Sequence, residues 1–332
     1  MKVDNDKGIL FGVYPWAFDC PGGGERQLLA YKSHLEYRGQ PVSLYNQWNP
    51  CIKDYNLFHF FSVMPGSFQL CNHIKQQGVA LVVSPNLWVT PETKYHYPHD
   101  AIKELLDIAD CIVVNSQIEK KSLSKVYEIS EAMFSVVHNG VEGDFFISEG
   151  GEFFERECNI GAKPYVLNVA NIEPRKNQLS LIHALKSYPE LSLVVIGHIR
   201  DAAYAKECFS LAGDQLKFVG PLSYNSRLIR SAMAGCNFFA MPSTLETPSI
   251  AALEAAAMGA KIMITKVGSA TEYFEKEAVY ITPDSIDSIR KGIGDIQNRS
   301  CNREGIDRMN EHYRWSSIVK QLESTYKSVL SS

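Results

Sequence analysis

The sequence predicts an α/β protein with two doubly wound, mostly parallel sheets, each the centre of its own domain. Three observations lead there. A length of 332 residues is long for one compact domain, and two α/β domains of about 150 residues each fit it better. Short apolar, β-rich runs alternate with amphipathic segments from end to end, as parallel strands covered by helices on both faces would. The alternation also runs through twice, with a glycine-rich interruption between the two series.

In the first series the strand candidates are Gly8–Tyr14, Pro41–Tyr45, Leu57–Ser62, Val79–Ser84, Cys111–Asn115 and Met133–His138. In the second they are Tyr165–Ala170, Ser192–Gly197, Leu216–Val219, Asn237–Met241, Lys261–Thr265 and Ala278–Ile281. Helical patterns lie between them, among them Glu25–Arg38, Leu179–Lys186, Ser226–Ala234 and Ser249–Met258. Gly143, Gly150, Gly151 and Gly161 crowd the stretch between the series, so the break is expected within 143–163. This gives an N-terminal domain over 1–150, a second over 151–312, and a terminal segment over 313–332. In that last segment Trp315, Ile318, Val319, Leu322 and Tyr326 recur at helical spacing, the pattern of a packed terminal helix.

Composition excludes several classes. A formal net charge of −4 gives no general basic surface for nucleic acid. The eight cysteines, at 20, 51, 71, 111, 158, 208, 236 and 301, include no C-x-x-C pair, so buried reduced thiols fit better than disulfides or zinc. No run approaches the ~18 apolar residues of a membrane span. The chain therefore reads as soluble and cytoplasmic, with peripheral association at the inner face of a membrane compatible with that reading. The one D-x-D, Asp4-Asn5-Asp6, lies in a polar tail of the kind usually solvated, so no metal is expected.

Three motifs could carry chemistry. Pro21-Gly22-Gly23-Gly24-Glu25-Arg26 stands between the first strand and the first helix, where glycines let the backbone approach a ligand and a helix start favours an anion. It is not the G-x-G-x-x-G dinucleotide fingerprint, and taken alone it serves turn geometry equally well. Ala170-Asn171-Ile172-Glu173-Pro174-Arg175-Lys176-Asn177 follows a parallel strand at the end where such sheets bind ligands. There Arg175 offers a planar fork and Lys176 a point charge, a pair suited to a diphosphate, although a solvated Arg-Lys pair is the commoner case.

The third motif runs from Glu246 to Gly259. Thr247 is expected as N-cap, Pro248 at the first helical position and Gly259 past the C-terminus. Free N–H groups near Ser249 and Ile250 would face a phosphate, and Ile250, Leu253, Ala257 and Met258 would form the buried stripe. Glu246 at the mouth and Glu254 two turns in could each accept hydrogen bonds from sugar hydroxyls. An acidic first turn complementing the helix dipole explains Glu246 but not Glu254.

Glu246 and Glu254, separated by seven residues, resemble the E-x7-E motif of retaining GT-B glycosyltransferases, family 4 in particular. Gly22-Gly23-Gly24-Glu25 is similar to that family's G-G-x-E loop, and Asn139-Gly140-Val141-Glu142 to the N-G-V-D turn ahead of its interdomain linker. Arg175-Lys176-Asn177 falls where the family carries its G-R-x4-K-N clamp, and Gly268-Ser269-Ala270-Thr271-Glu272 resembles its G-G-x-x-E loop.

The resemblance implies a GT-B fold of two Rossmann-like domains facing across a cleft, with a C-terminal helix crossing back to the first. It implies a nucleoside-diphosphate-sugar co-substrate, a glycan or lipid-linked acceptor, and neither metal nor other cofactor. Lys176 and Arg175 would hold the diphosphate, with Asn171 and Leu222 in the donor loops. Glu246 would contact the transferred sugar beside Thr247, Pro248, Ser249 and Ile250, and Glu254 the ribose. Gly23 and Gly24 would close from the opposite side, with Asn86, His59 and Glu25 on the acceptor or sugar side.

Two departures stand out. Asn171 replaces the family's clamp arginine, and Ser84-Pro85-Asn86 occupies the place of a common histidine. His59, alone among aromatics, reads first as a core residue and second as a partner near the cleft. The expected reaction is metal-independent transfer with retention, without a covalent intermediate. A nucleotide-sugar 2-epimerase and a degenerate, non-catalytic scaffold are the alternatives.

Overall fold

A computed structural model describes residues 8–19, 21–300 and 303–331. Asp4-Asn5-Asp6, Cys20 and Cys301 lie outside the described residues. The chain divides into two units, the first running to Asn139 and taking up the segment from Trp315 onward, the second spanning Gly140–Arg314. The division thus falls ahead of the glycine-crowded stretch. Val141 pairs with Arg314 and donates its N–H to the Tyr313 carbonyl at 2.7 Å, while Phe145 and Phe154 enter the second unit's core, so this stretch belongs wholly to that unit.

In the first unit the order is β1 (Gly8–Gly12), α1 (Gly23–Tyr37), β2 (Val42–Leu44), β3 (Tyr55–Phe61), α2 (Ser67–Lys75) and β4 (Ala80–Ser84). There follow α3 (His99–Asp107), β5 (Cys111–Val114), α4 (Gln117–Tyr127) and β6 (Phe134–Val136). The strands form one parallel sheet in the order β2-β1-β3-β4-β5-β6. Because side chains alternate across a strand, Leu10, Phe58 and Phe60 enter the main core, whereas Phe11, His59 and Phe61 meet on the other face.

The second unit contains α5 (Glu152–Glu157), β7 (Tyr165–Val169), α6 (Gln178–Leu185), β8 (Ser192–Ile196), α7 (Ala202–Ala212) and β9 (Leu216–Gly220). It continues with α8 (Arg227–Gly235), β10 (Phe238–Met241), α9 (Ile250–Ala257), β11 (Ile262–Thr265), α10 (Ala270–Phe274) and β12 (Ala278–Ile281). α11 (Ile286–Gln297) and α12 (Arg303–His312) complete it. Its parallel sheet has the order β12-β11-β10-β7-β8-β9. Here too alternation makes two cores: Leu167, Val194, Ile196, Phe239 and Met241 face one way, Val166, Leu193, Val195, Phe238 and Ala240 the other.

The last helix, α13 (Trp315–Ser331), packs on α1 within the first unit. Its expected face, Trp315, Ile318, Val319, Leu322 and Tyr326, is buried. Arg38 grips Glu323 with both Nε and Nη2, at 2.7 and 2.8 Å, and Ser135 shares a 2.7 Å hydrogen bond with Thr325. No described helix is long and apolar enough to cross a membrane. Of the described cysteines, Cys71, Cys111 and Cys208 are buried, and burial raises the Cys111 and Cys208 thiols to about 11.

Two helix starts differ from expectation. Gly23 and Gly24 form the first turn of α1, because the Glu25 carboxylate accepts the Gly22 N–H at 2.6 Å and closes that turn. At α9 the N-cap is Ser249, whose hydroxyl accepts the Ala252 N–H, so Thr247 and Pro248 stay in the preceding loop. α9 is buried on every side, with no exposed face opposite a stripe, which is why its sequence is nearly all alanine and aliphatic. Gly259, at φ 86°, closes it as expected.

Candidate active site

Five loops come together at the carboxyl edge of the second sheet, after β7, β8, β10, β11 and β12. Parallel α/β sheets place their ligand sites at this edge. The loop after β7 turns through Pro174–Lys176 and ends at Asn177, whose φ of 57° is left-handed. The Asn177 amide donates to the Pro242 carbonyl at 3.1 Å and the Pro283 carbonyl at 2.9 Å, stapling this loop to those after β10 and β12.

That staple presents Lys176 to Glu246. The ammonium lies 2.6 Å from Glu246 Oε1, and only 14% of the Lys176 side chain and 6% of the Glu246 side chain are exposed. Arg175 reaches toward the Leu245 carbonyl at 3.4 Å and accepts the Thr244 N–H at 2.9 Å through its own carbonyl. Burial pushes the Glu246 carboxyl up, but Lys176 and Arg175, with hydrogen bonds from Lys176 and Ser243, outweigh it and hold the group below the usual carboxylate range. Glu246 is therefore an anion at neutral pH. The loop after β11 fixes its backbone: Glu246 donates its N–H to the Val267 carbonyl at 3.1 Å and accepts the Ser269 N–H at 3.0 Å. Glu254 is buried on α9, and Leu222, beyond β9, packs partly against the same core.

Asn171 brings no charge to this edge. Its Oδ1 accepts the His198 N–H at 3.1 Å, so the side chain joins the loops after β7 and β8. Two charged residues that the sequence reading did not select stand beside it. Glu173 holds Arg175 Nη2 at 3.2 Å through one carboxylate oxygen and lies 3.5 Å from Arg200 Nη1 through the other. Nothing in the spacing marks Arg200, because only the fold brings residue 200 beside residue 173.

The first unit holds the remaining candidates. Both Glu25 oxygens are engaged, one by the Gly22 N–H and one by the Tyr14 hydroxyl at 2.7 Å, so this carboxylate shapes its own glycine turn. Gly24 and Asn86 come together: a Cβ on Gly24 would stand 3.2 Å from Asn86 Nδ2. Gly23 has open space beside it. Among the described residues no group of three or more His, Cys, Asp and Glu is placed to hold a metal.

His59 is a core residue. Its ring is fully buried, stacks on Phe61 at 4.0 Å, and hydrogen-bonds Tyr326 at 2.6 Å and Ser84 at 2.8 Å. Burial lowers its pKa well below the ordinary value, so the folded chain holds it neutral. The unfolded chain binds a proton near pH 6.5, and unfolding below that pH therefore takes one up. The first unit should be fully stable in this respect above about pH 6.5 and weaken in acid by up to about 1.4 kcal/mol per pH unit. Urea melts between pH 7.5 and 5.5 read this, and His59→Phe should flatten the slope. An unchanged slope in that variant assigns the acid loss to other groups.

The two parallel six-stranded sheets are the architecture of GT-B glycosyltransferases. Sucrose-phosphate synthase from Thermosynechococcus elongatus superposes with a TM-score of 0.82 at 16% identity, covering 98% of this chain and 100% of that one. Anabaena HepE in complex with UDP and glucose gives 0.79 at 18%, covering 97% and 100%. Residues 152–311 match the model for glycosyl transferases group 1. A D-inositol 3-phosphate glycosyltransferase of Mycobacterium ulcerans is 25% identical over 174 residues, 50% of this chain but only 37% of that protein's length.

Proposed function

We propose that this chain transfers a sugar, with retention of anomeric configuration and without a metal ion, from a nucleoside-diphosphate-sugar to a glycan or lipid-linked acceptor. The observation that carries the reading is the buried Lys176–Glu246 pair beside Arg175 at the carboxyl edge. A diphosphate entering there takes up Lys176 and Arg175, and the Glu246 carboxylate turns to the hydroxyls of the sugar. The start of α9 at Ser249 and Ile250 adds N–H groups without intrahelical acceptors, and Glu254 takes the ribose.

The bond between the anomeric carbon and the β-phosphate oxygen breaks as the acceptor oxygen bonds to that carbon on the same face. The acceptor proton passes to an oxygen of the departing diphosphate. Cations fixed in a partly desolvated site stabilise the charge that develops there. Glu246, already paired with Lys176, positions the sugar and forms no covalent bond to it, unlike the nucleophile of retaining glycosidases. HepE was crystallised with UDP-glucose, and a donor of that class suits this edge. The acceptor is assigned to the first unit, with Asn86 beside the Gly23-Gly24 turn on the sugar side. The enzyme works in the cytoplasm, with membrane contact only where its acceptor is lipid-linked.

The test is a screen of the protein in EDTA against UDP-, GDP-, ADP- and dTDP-sugars, following nucleoside diphosphate release with and without pooled acceptors. Release with one donor, raised by acceptor and lost in Glu246→Ala, is the expected result, and NMR of the product should show the donor's anomeric configuration. Epimerised donor without acceptor would assign the 2-epimerase reaction, and silence despite nucleotide binding the scaffold.

A further inference from the structure

The loops after β7 and β8 are joined more closely than adjacent strands require. Ile172 donates to the His198 carbonyl at 2.8 Å, and Arg200 and Asp201 both donate to the Ile172 carbonyl, at 3.1 and 3.2 Å. Asn171 takes the His198 N–H. Gly197, at φ 154°, passes so near the first loop that a Cβ would stand 2.2 Å from the Ala170 carbonyl oxygen. This seam carries Arg200 to the edge beside Arg175.

Glu173 sets the spacing of the two guanidinium groups, one on each carboxylate oxygen, while Glu246 serves Lys176. Lys176, Arg175 and Arg200 thus all bring their charges to the edge where the diphosphate is proposed to bind. The Arg175 and Arg200 side chains remain 49% and 34% exposed, so both heads can be reached by an anion. Guanidinium forks match phosphate oxygens in pairs.

We infer that Arg200 is a third diphosphate-binding residue, held ready by Glu173, and that the loop after β8 supplies the cation absent at position 171. The inference rests on the donor site proposed above. Asn171, which brings no charge itself, anchors the loop that does. Glu173 is a positioning residue: each arginine exchanges part of its contact with that carboxylate for a phosphate oxygen.

The test compares diphosphate with monophosphate, using the pairs UDP and UMP, GDP and GMP, ADP and AMP, and dTDP and dTMP by calorimetry. Arg200→Gln should weaken the diphosphate that binds roughly 10-fold or more, and leave its monophosphate within about 2-fold. Arg200→Lys should recover part of the loss, and Lys206→Gln on α7, with the same change of charge, should match the wild type. Equal weakening of both nucleotides would make Arg200 a support for the loop, and no weakening in a wild-type enzyme that turns over donor would remove it from the site; either overturns the inference alone. A wild type that binds no diphosphate of any base overturns the donor reading and this inference with it.

Discussion

Gly268→Ala should reduce donor turnover by at least ~100-fold, the order expected when a catalytic group shifts by about an ångström. Gly268 pairs with Glu246 across the loops after β10 and β11 and holds a φ of +113°, where a side chain is strained in any surroundings. The added Cβ would lie 1.9 Å from the Glu246 carbonyl oxygen, 2.8 Å from its carbonyl carbon and 3.2 Å from its nitrogen. All three are backbone atoms, so no flexible side-chain end can swing aside. Glu246 itself must move, and its carboxylate leaves the place where Lys176 meets it at 2.6 Å. Gly161→Ala is the control, since nothing stands within 4 Å of a Cβ there. The expected result is a folded second unit with a lowered melting temperature, bound nucleotide and little turnover. Wild-type turnover in Gly268→Ala would show that the Glu246 position does not govern the reaction.

The same pair of residues shows how far the sequence could be read. Glu246 and Gly268 were both legible as motif positions, because each sits just past a strand and before a helix. Their contact was not, since it arises only when β10 and β11 lie side by side. All twelve strand positions were legible because β-branched runs bounded by turn residues mark strands buried on both faces. The start of α9 was not, as Thr247-Pro248-Ser249 offers two capping hydroxyls and only the tertiary packing chooses Ser249. The hydrogen bonds of Glu25 are not legible for a related reason. A carboxylate three residues into a helix can turn outward to a ligand or back to its own N-cap, and Tyr14 draws it inward. Asn171 and Glu173 take their roles from partners more than 20 residues along the chain, at His198 and Arg200, which no local spacing announces.

Removing Lys176 should separate stability from catalysis. Lys176→Met takes the nearest cation from a carboxylate that is 6% exposed. Breaking a buried pair from one side costs about 3–5 kcal/mol, with the lower end expected because Arg175 still attracts Glu246. Burial is the largest influence on this carboxyl and now has less opposing it, so its pKa should rise above the unfolded value. The pH dependence then changes sign. In the wild type the lowered pKa makes Glu246 stabilising above about pH 4.3, a contribution lost as pH falls through the folded value. In Lys176→Met the folded state binds the proton more readily than the unfolded chain, and stability is gained as pH falls toward 4.3. Glu246→Gln in the same chain removes the stranded charge, and the double variant should regain most of the stability, since replacing both members of a buried pair is often nearly neutral. Turnover should not return, because under the proposed mechanism the diphosphate has lost a cation worth about 10²–10³ in rate and the sugar its carboxylate. Urea melts between pH 7.5 and 4.5, with donor turnover on the same three variants, measure both quantities. A double variant as unstable as Lys176→Met would show that the two residues do not act as a pair. One with restored turnover would place the chemistry elsewhere on the edge.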